Sequence, residues 1–198
     1  YEVPNGTPLR TLVHDLCGGT TRPLKAFAPS GPSGGFLPAR LPVTALPRGW
    51  EKRAPADLVA KVAAGGGTHL DILDLPLDLQ RFRDVGLAIG AGLVVYDDSR
   101  DIAAEAVNCS QFFRDESCGK CVPCRIGSQK IVEMGEDLLA GRLDGAAFTG
   151  RETLVQELTR AMEMTSICGL GMVAAKPLQS ALQFFADDVR RHVAGGGR

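Results

Sequence analysis

Six cysteines stand in the chain, and three of them are packed into seven residues: Cys118-Gly119-Lys120-Cys121-Val122-Pro123-Cys124. In a C-x2-C-x2-C run the two-residue spacers let successive thiolates turn inward around one compact inorganic core. A [4Fe–4S] cubane takes one thiolate per iron, so it needs a fourth ligand. The ferredoxin-type position, three residues after the third cysteine, is Ser128, so the fourth thiolate comes from elsewhere. Cys168, in the glycine-flanked stretch Ser166-Ile167-Cys168-Gly169-Leu170-Gly171, is the best candidate, and the 43 residues between it and Cys124 suit a helical hairpin that leaves the cluster and returns. Structural zinc is the competing reading, but zinc ligands usually come as two pairs, and a three-plus-one pattern is more typical of a cubane. A redox C-x-x-C dithiol leaves the third cysteine without a role. Cys17 and Cys109, both on expected helices, read as buried core thiols.

The surroundings of the run suit an anion. Gly119 and Gly127 let backbone N–H groups approach sulfur. Pro123 stiffens the turn before Cys124, while Lys120, Arg125 and the start of the following helix offset negative charge. Other candidate chemistry is thin. His14, His69 and His192 are scattered. Gly90-Ala91-Gly92 opens like a dinucleotide-binding loop, but Val95 stands at the third glycine position and a strand follows. Gly65, Gly66 and Gly67 lack the Lys-Ser/Thr of a P-loop. Asp97-Asp98 and Asp187-Asp188 read as solvated element ends, and no nucleophile is matched with a base.

The elements that must position these cysteines fall into two segments. In 1–98, Thr7-Pro8 predicts a helix start, with Leu9, Leu12, Val13 and Leu16 on one apolar face and Gly18-Gly19 as its end. Short strands are expected at 24–28, 36–37 and 93–96. An irregular insertion occupies about 38–80, with a short helix at 56–62, and 82–87 is ambiguous. One helix among short strands suggests a small α+β domain. In 99–198, Ser99 is the expected cap of a helix running to about 114, and a second helix spans 125–139. Thr149-Gly150-Arg151-Glu152 reads as a capping box for a third, with Leu154, Leu158 and Met162 inward. A last helix from Pro177 buries Leu178, Ala181, Leu182, Phe185 and Val189. Four helices with short connections make a small all-α bundle, and the tail 195–198 reads as disordered.

Composition bounds the remaining classes. The 198 residues are 44% hydrophobic and 23% charged, with net charge −1. That balance gives no footprint for nucleic acid, and no apolar run is long enough for direct membrane insertion. Clustered cysteines without a secretory signal point to a reducing compartment, the cytoplasm or an organelle matrix. The chain starts at Tyr1 without a Met, which reads as a piece of a longer protein or a processed product.

Glu116-Ser117-Cys118-Gly119-Lys120-Cys121-Val122-Pro123-Cys124-Arg125-Ile126-Gly127 closely resembles the E-S-C-G-x-C-x-P-C-R-x-G signature of the NADH-binding flavoprotein subunit of respiratory complex I. Its relatives include the beta subunit of NAD-dependent formate dehydrogenases and hydrogenase diaphorase subunits. Cys168-Gly169-Leu170-Gly171 matches that family's fourth-ligand loop. The stretch from Tyr1 to Leu9 and the stretch from Gly90 to Asp98 resemble the two ends of its SLBB module, a β-grasp domain. The 31–38 stretch and the long insertion look closer to the formate dehydrogenase branch.

The resemblance implies an α+β chain: a small SLBB-like β-grasp domain, then a four-helix iron–sulfur domain. It implies cluster ligation by Cys118, Cys121, Cys124 and Cys168, with Ser117, Gly119, Lys120, Arg125 and Gly127 lining the cofactor. It implies an electron relay at the exit of an NAD(H)-dependent oxidoreductase. FMN and NAD(H) would sit in the parent subunit rather than here, because the family's G-R-G-G-x-G-F motif is absent. Implied partners are the missing N-terminal flavin domain, a [2Fe–2S] thioredoxin-like subunit, and a larger iron–sulfur or molybdenum/tungsten catalytic subunit. The implied location is the cytoplasm, or the cytoplasmic or matrix face of a membrane-attached complex. Two other functions remain open: a metal-stabilised structural adaptor, which would be redox-silent, and a small-molecule sensor, for which the sequence shows no convergent polar pocket.

Overall fold

The computed structural model describes residues 1–194, and the glycine-rich tail lies outside the described residues. The chain forms two compact units, Tyr1–Ser30 with Leu37–Ser99, and Gly31–Phe36 with Arg100–Arg198.

In the first unit the expected N-terminal helix is present but wound wider than expected, as a π-helix over Thr11–Leu16. Its end is marked by Cys17 N–H donating to Leu12 O (3.0 Å) and by positive φ at Gly18 and Gly19. The wider turn breaks the 3.6-residue register. Leu9 and Val13 are buried, whereas Leu16 is 37% exposed.

Strand β1 (Leu24–Pro32) is central, between β2 (Leu37–Pro38) and β5 (Val94–Asp97), both antiparallel to it. Ala26, Phe27 and Ala28 are consecutive and all buried, the pattern of a strand covered on both faces.

The insertion is more ordered than the sequence suggests. β3 (Arg40–Pro42) pairs antiparallel with β4 (His69–Asp71), joining Leu41 to Leu70 in the core. Helix α1 (Ala56–Ala64) lies between them in sequence. The ambiguous stretch contains α2 (Leu79–Asp84), capped by Asp78. Three-residue strands carrying a proline are too short for alternation to register in sequence. A cleft of about 630 Å³ opens in this unit, lined by Arg10, Asp15, Asp57, Lys61 and Asp74 among others. Its lining is mixed, with Pro8, Leu58, Leu73 and Pro76 beside those charged side chains. Arg10 is paired there with Asp71 and Asp74, at 2.9 and 3.3 Å.

The second unit is helical: α3 (Ile102–Asp115), α4 (Val122–Leu139), α5 (Gly145–Thr165), α6 (Gly169–Val173), α7 (Lys176–Phe184) and α8 (Ala186–Arg190). Three sequence-based boundaries move. The cap of α3 is Asp101 rather than Ser99, its carboxylate accepting the N–H groups of Ala103 and Ala104. Helix α4 starts at Val122 rather than Arg125, because Pro123 suits a first helical turn. Helix α5 is capped by Asp144. Thr149 is already inside it and donates to Gly145 O (3.0 Å), so no capping box forms there. The buried face of α5 is Val155, Thr159 and Met162, with Leu154 on the exposed side. The last expected helix divides at Phe185, whose φ of −123° and ψ of 48° are not helical.

Phe113, Ile131, Met134, Val155, Met162, Ala174, Ala175 and Leu178 form one core cluster, which ties α3, α4, α5 and α7 together. Close helix approach requires glycine at two places on α4. A Cβ on Gly127 would lie 2.5 Å from Met162 Sδ, and one on Gly135 would lie 2.6 Å from Val107 Cγ2. The 31–36 segment is held to α7 by Phe36 N–H donating to Ser180 Oγ (2.8 Å). Among the described residues no helix is long and apolar enough to cross a membrane.

The Asp101 cap also makes a contact to His192 Nε2 at 2.7 Å. Burial pushes the Asp101 carboxyl up, but the hydrogen bonds from His192, Ala104 and Ala103 outweigh it and hold the group below the usual carboxylate range. A depressed carboxyl stabilises the fold above its unfolded pKa of about 3.9, and that contribution is lost as pH falls through the folded value. Asp101→Ala is expected to cost about 1 kcal/mol at neutral pH. The difference from the unmutated chain should narrow as pH falls below about 4, as urea midpoints across the pH range would reveal.

Candidate metal centre

The cysteine loop begins where α3 ends. Ser117 N–H donates to Arg114 O (3.2 Å), closing the helix, and the chain turns at Gly119, where φ is +71°. A residue with a side chain is strained there. Arg125 Nη1 then reaches back from α4 to donate to Gly119 O (2.9 Å), pinning the loop over the start of the helix. Cys121 is the N-cap of α4, and Cys124 lies in its first turn. The positive end of an 18-residue helix therefore faces two of the predicted ligands.

Burial and bonding grade the four thiols. Cys118 and Cys168 are exposed, Cys121 is half-buried and Cys124 is buried. Ser117 Oγ lies 3.1 Å from Cys124 Sγ and also accepts the Gly119 N–H (3.4 Å). The Cys121 thiol is held below the ordinary thiol range, chiefly by the Ile167 N–H and then by the Cys124 N–H, with the Arg125 charge adding to it. Lower pKa means more thiolate, the form that binds iron.

The distant hairpin does return. The N–H that contributes most to lowering the Cys121 thiol belongs to Ile167, the residue before Cys168. A Cβ on Gly171 would lie 2.9 Å from Cys124 Cβ and 2.5 Å from Ser166 Oγ. The Ser166–Gly171 stretch thus packs against both Cys121 and Cys124, and only glycine at 171 permits that approach. Cys168 is the N-cap of α6, a one-turn helix where the sequence had suggested a loop. Among the described residues no three His, Cys, Asp or Glu side chains converge on a single metal position. Cubane thiolates stand apart, one to each iron.

The donor set fits an iron–sulfur cluster. The side chains are soft thiols, the backbone N–H groups of Ile167 and Cys124 favour the Cys121 thiolate, and the buried Ser166 hydroxyl has no partner among the described residues. Residues 104–192 match the family model described as the NADH-ubiquinone oxidoreductase-F iron-sulfur binding region. Those residues are thus similar to that family's iron–sulfur region.

Known proteins resemble the chain well beyond the matched region. The NADP-reducing hydrogenase subunit HndC of Solidesulfovibrio fructosivorans is 29% identical over 97% of this chain and 33% of its own. The mitochondrial NADH-ubiquinone oxidoreductase 51 kDa protein of Neurospora crassa is 31% identical over 73% of this chain and 29% of its own. A crystal structure of an NAD+-reducing [NiFe]-hydrogenase in the H2-reduced state superposes with TM-score 0.71 at 26% identity, covering 98% of this chain and 27% of that one. The chain thus spans roughly a third of the length of the curated relatives.

Within the iron–sulfur region the remaining expected cofactor-lining residues lie around the loop. Lys120 and Arg125 are exposed, where their charge is solvated. Gly127 is buried in the second turn of α4, packed against Met162 of α5. Cys109 is half-buried on α3, and desolvation, with the Glu105 charge second, pushes its thiol up to about 11. Cys17 is exposed at the end of the π-helix, which corrects its reading as a core thiol. Its predicted burial assumed 3.6-residue winding, which the π-turn abolishes. Sequence reasoning missed Ser166 and Gly171 as a pair. The signal was their position on either side of Cys168.

Proposed function

We propose that Cys118, Cys121, Cys124 and Cys168 ligate one [4Fe–4S] cluster and that the chain relays single electrons within an NAD(H)-dependent oxidoreductase. The observation that carries this reading is the return of the Ser166–Gly171 stretch onto Cys121 and Cys124, since it brings the neighbours of the fourth cysteine to the three-cysteine loop. A cluster held there supplies one-electron uptake and release with little ligand movement. The protein's part is to hold four thiolates in place, to neutralise charge through the start of α4 with Lys120 and Arg125, and to shield the Cys124 side in the helical core. Ser117 fixes the rotamer of Cys124, and the loop glycines Gly119 and Gly171 permit the backbone approach.

The wider assembly is the one that the sequence resemblance implies. A flavin domain holding FMN and binding NAD(H), a [2Fe–2S] thioredoxin-like subunit, and a larger iron–sulfur, molybdenum or tungsten subunit are the expected companions, in a cytoplasmic or matrix-facing complex. The antiparallel sheet of the first unit, with β1 at its centre, supports reading 1–98 as an SLBB-like β-grasp domain. The helices of the second support reading 99–198 as the cluster domain. The formate dehydrogenase branch fits the long ordered insertion that contains β3 and α1.

Anaerobically purified protein should contain about four irons and four sulfides per chain, absorb visible light, and give a paramagnetic signal on reduction with dithionite. One zinc per chain, colourless and redox-silent, would sink the relay and leave a structural adaptor.

A further inference from the structure

Two buried side-chain hydroxyls have no hydrogen-bond partner among the described residues, Ser128 Oγ and Ser166 Oγ. Serines and threonines inside these helices have an ordinary recourse, the carbonyl one turn back. Ser110 donates to Ala106 O (2.8 Å) and Thr159 to Val155 O (2.7 Å). Ser128 lies within α4, where the same option exists. Ser166 differs, because it caps the C-terminal end of α5 in extended conformation, with ψ of 142°. It is only 6% exposed. A buried hydroxyl without a partner is costly, so a native protein that keeps one usually has a use for it.

Its neighbours say what that use is. The Ser166 hydroxyl and the Cys124 side chain both border the space beside Gly171, where a Cβ would come within 2.5 Å of Ser166 Oγ and 2.9 Å of Cys124 Cβ. Cys124 is the most buried of the four predicted ligands, and Ser117 Oγ already contacts its sulfur at 3.1 Å. Two serines from opposite ends of the motif therefore flank one ligand, and the second has a donor to spare.

We infer that Ser166 is a positioning residue for the cluster, its hydroxyl donating a hydrogen bond to sulfur at the Cys124 corner and raising the reduction potential. This rests on the proposed ligation by four cysteines. The physics is electrostatic. Reduction adds one negative charge, shared by iron and sulfur, and an O–H dipole pointing at sulfur stabilises that extra charge more than the oxidised state. The proton stays on serine, so the step moves one electron and nothing else. Burial strengthens the effect, because no water competes at this corner.

The test is an anaerobic redox titration of the full-length, cluster-loaded protein, followed by electron paramagnetic resonance. Ser166→Ala is compared with Ser128→Ala and the unmutated chain, and iron is counted in each. Ser166→Ala is expected to keep its iron while its reduction equilibrium weakens about tenfold, ~59 mV more negative for a one-electron couple. Ser128→Ala should titrate with the unmutated protein. A Ser166→Ala variant with full iron and an unshifted midpoint overturns the inference while leaving the ligand set intact. Absence of a cluster from the unmutated protein sinks the ligand set itself. Should Ser166→Ala fail to load, electron–nuclear double resonance of the unmutated protein in H2O and D2O decides. A hydroxyl proton coupled to the reduced cluster and exchanged by D2O supports the assignment, and its absence overturns it.

Discussion

Cys168→Ala is expected to leave a folded chain that no longer holds a complete cubane, with iron falling from about four per chain to three or fewer and the signal of the reduced four-iron cluster abolished. Each iron of the cube needs one terminal ligand, and the mutation removes one outright. No nearby group compensates. Ser166 is the closest side-chain oxygen described on that stretch, and a neutral hydroxyl is a far poorer iron ligand than a thiolate. The fold is expected to survive, because Cys168 is exposed and its backbone duty as the cap of a single turn passes unchanged to alanine. Ile167 N–H, Gly171 and Ser166 stay against the loop, so the variant separates ligation from packing. An intact cubane with unaltered spectra would reject Cys168 as the fourth ligand.

The two other cysteines are the internal controls. Cys109 has its thiol raised to about 11 by burial and by Glu105, so at neutral pH it stays protonated and a poor ligand. Cys17 is exposed and belongs to the first unit. Alanine at either position should leave iron content unchanged. Thiol chemistry thus sets Cys109 apart from Cys121 in the same way as their spacing does.

Spacing was the most legible property of the chain. Three thiols in seven residues can be read without any fold, because two-residue spacers are a local constraint. The proposed partner across 43 residues was chosen for its glycine-flanked position and its likeness to a fourth-ligand loop, and the contacts that support it, Gly171 against Cys124 and Ile167 N–H near Cys121, involve residues with no chemical signature of their own. Helix faces were read well where packing is one-sided, as for Leu178, Ala181 and Val189, all buried. Helix starts were read poorly where two cap candidates compete. Ser99 and Asp101 are both good N-caps by type, and so are Thr149 and Asp144. What decides is the tertiary structure: Asp101 is fixed by His192, which lies 91 residues away. The π-turn over Thr11–Leu16 and the three-residue ladder of β3 and β4 leave no periodic trace, because neither extends over enough residues to make a period.

The same tertiary logic gives the second large effect, at Asp188. This carboxylate is 3% exposed, accepts the Ile102 N–H at 2.7 Å, and is paired with Arg191 at 2.8 Å. From the sequence the Asp187-Asp188 pair looked like a solvated helix end, yet only Asp187 is exposed. Asp188 serves as a remote second cap, bringing α8 onto the start of α3, which is the helix that leads directly into the cysteine loop. Asp188→Ala strands a buried donor at the first residue of α3 and removes a charge-assisted bond, a loss of about 2–3 kcal/mol. For a chain of this size each kcal/mol shifts the melting temperature by roughly 2–4 °C, so thermal unfolding should move down by about 4–12 °C. Asp188→Asn keeps an acceptor for Ile102 without the charge and should recover about half of that. A melting temperature unchanged in Asp188→Ala would mean that the α3 start is held by Asp101 alone. Because α3 ends at the residues that open the cysteine loop, the destabilised variant should also lose iron faster to a chelator than Asp101→Ala does.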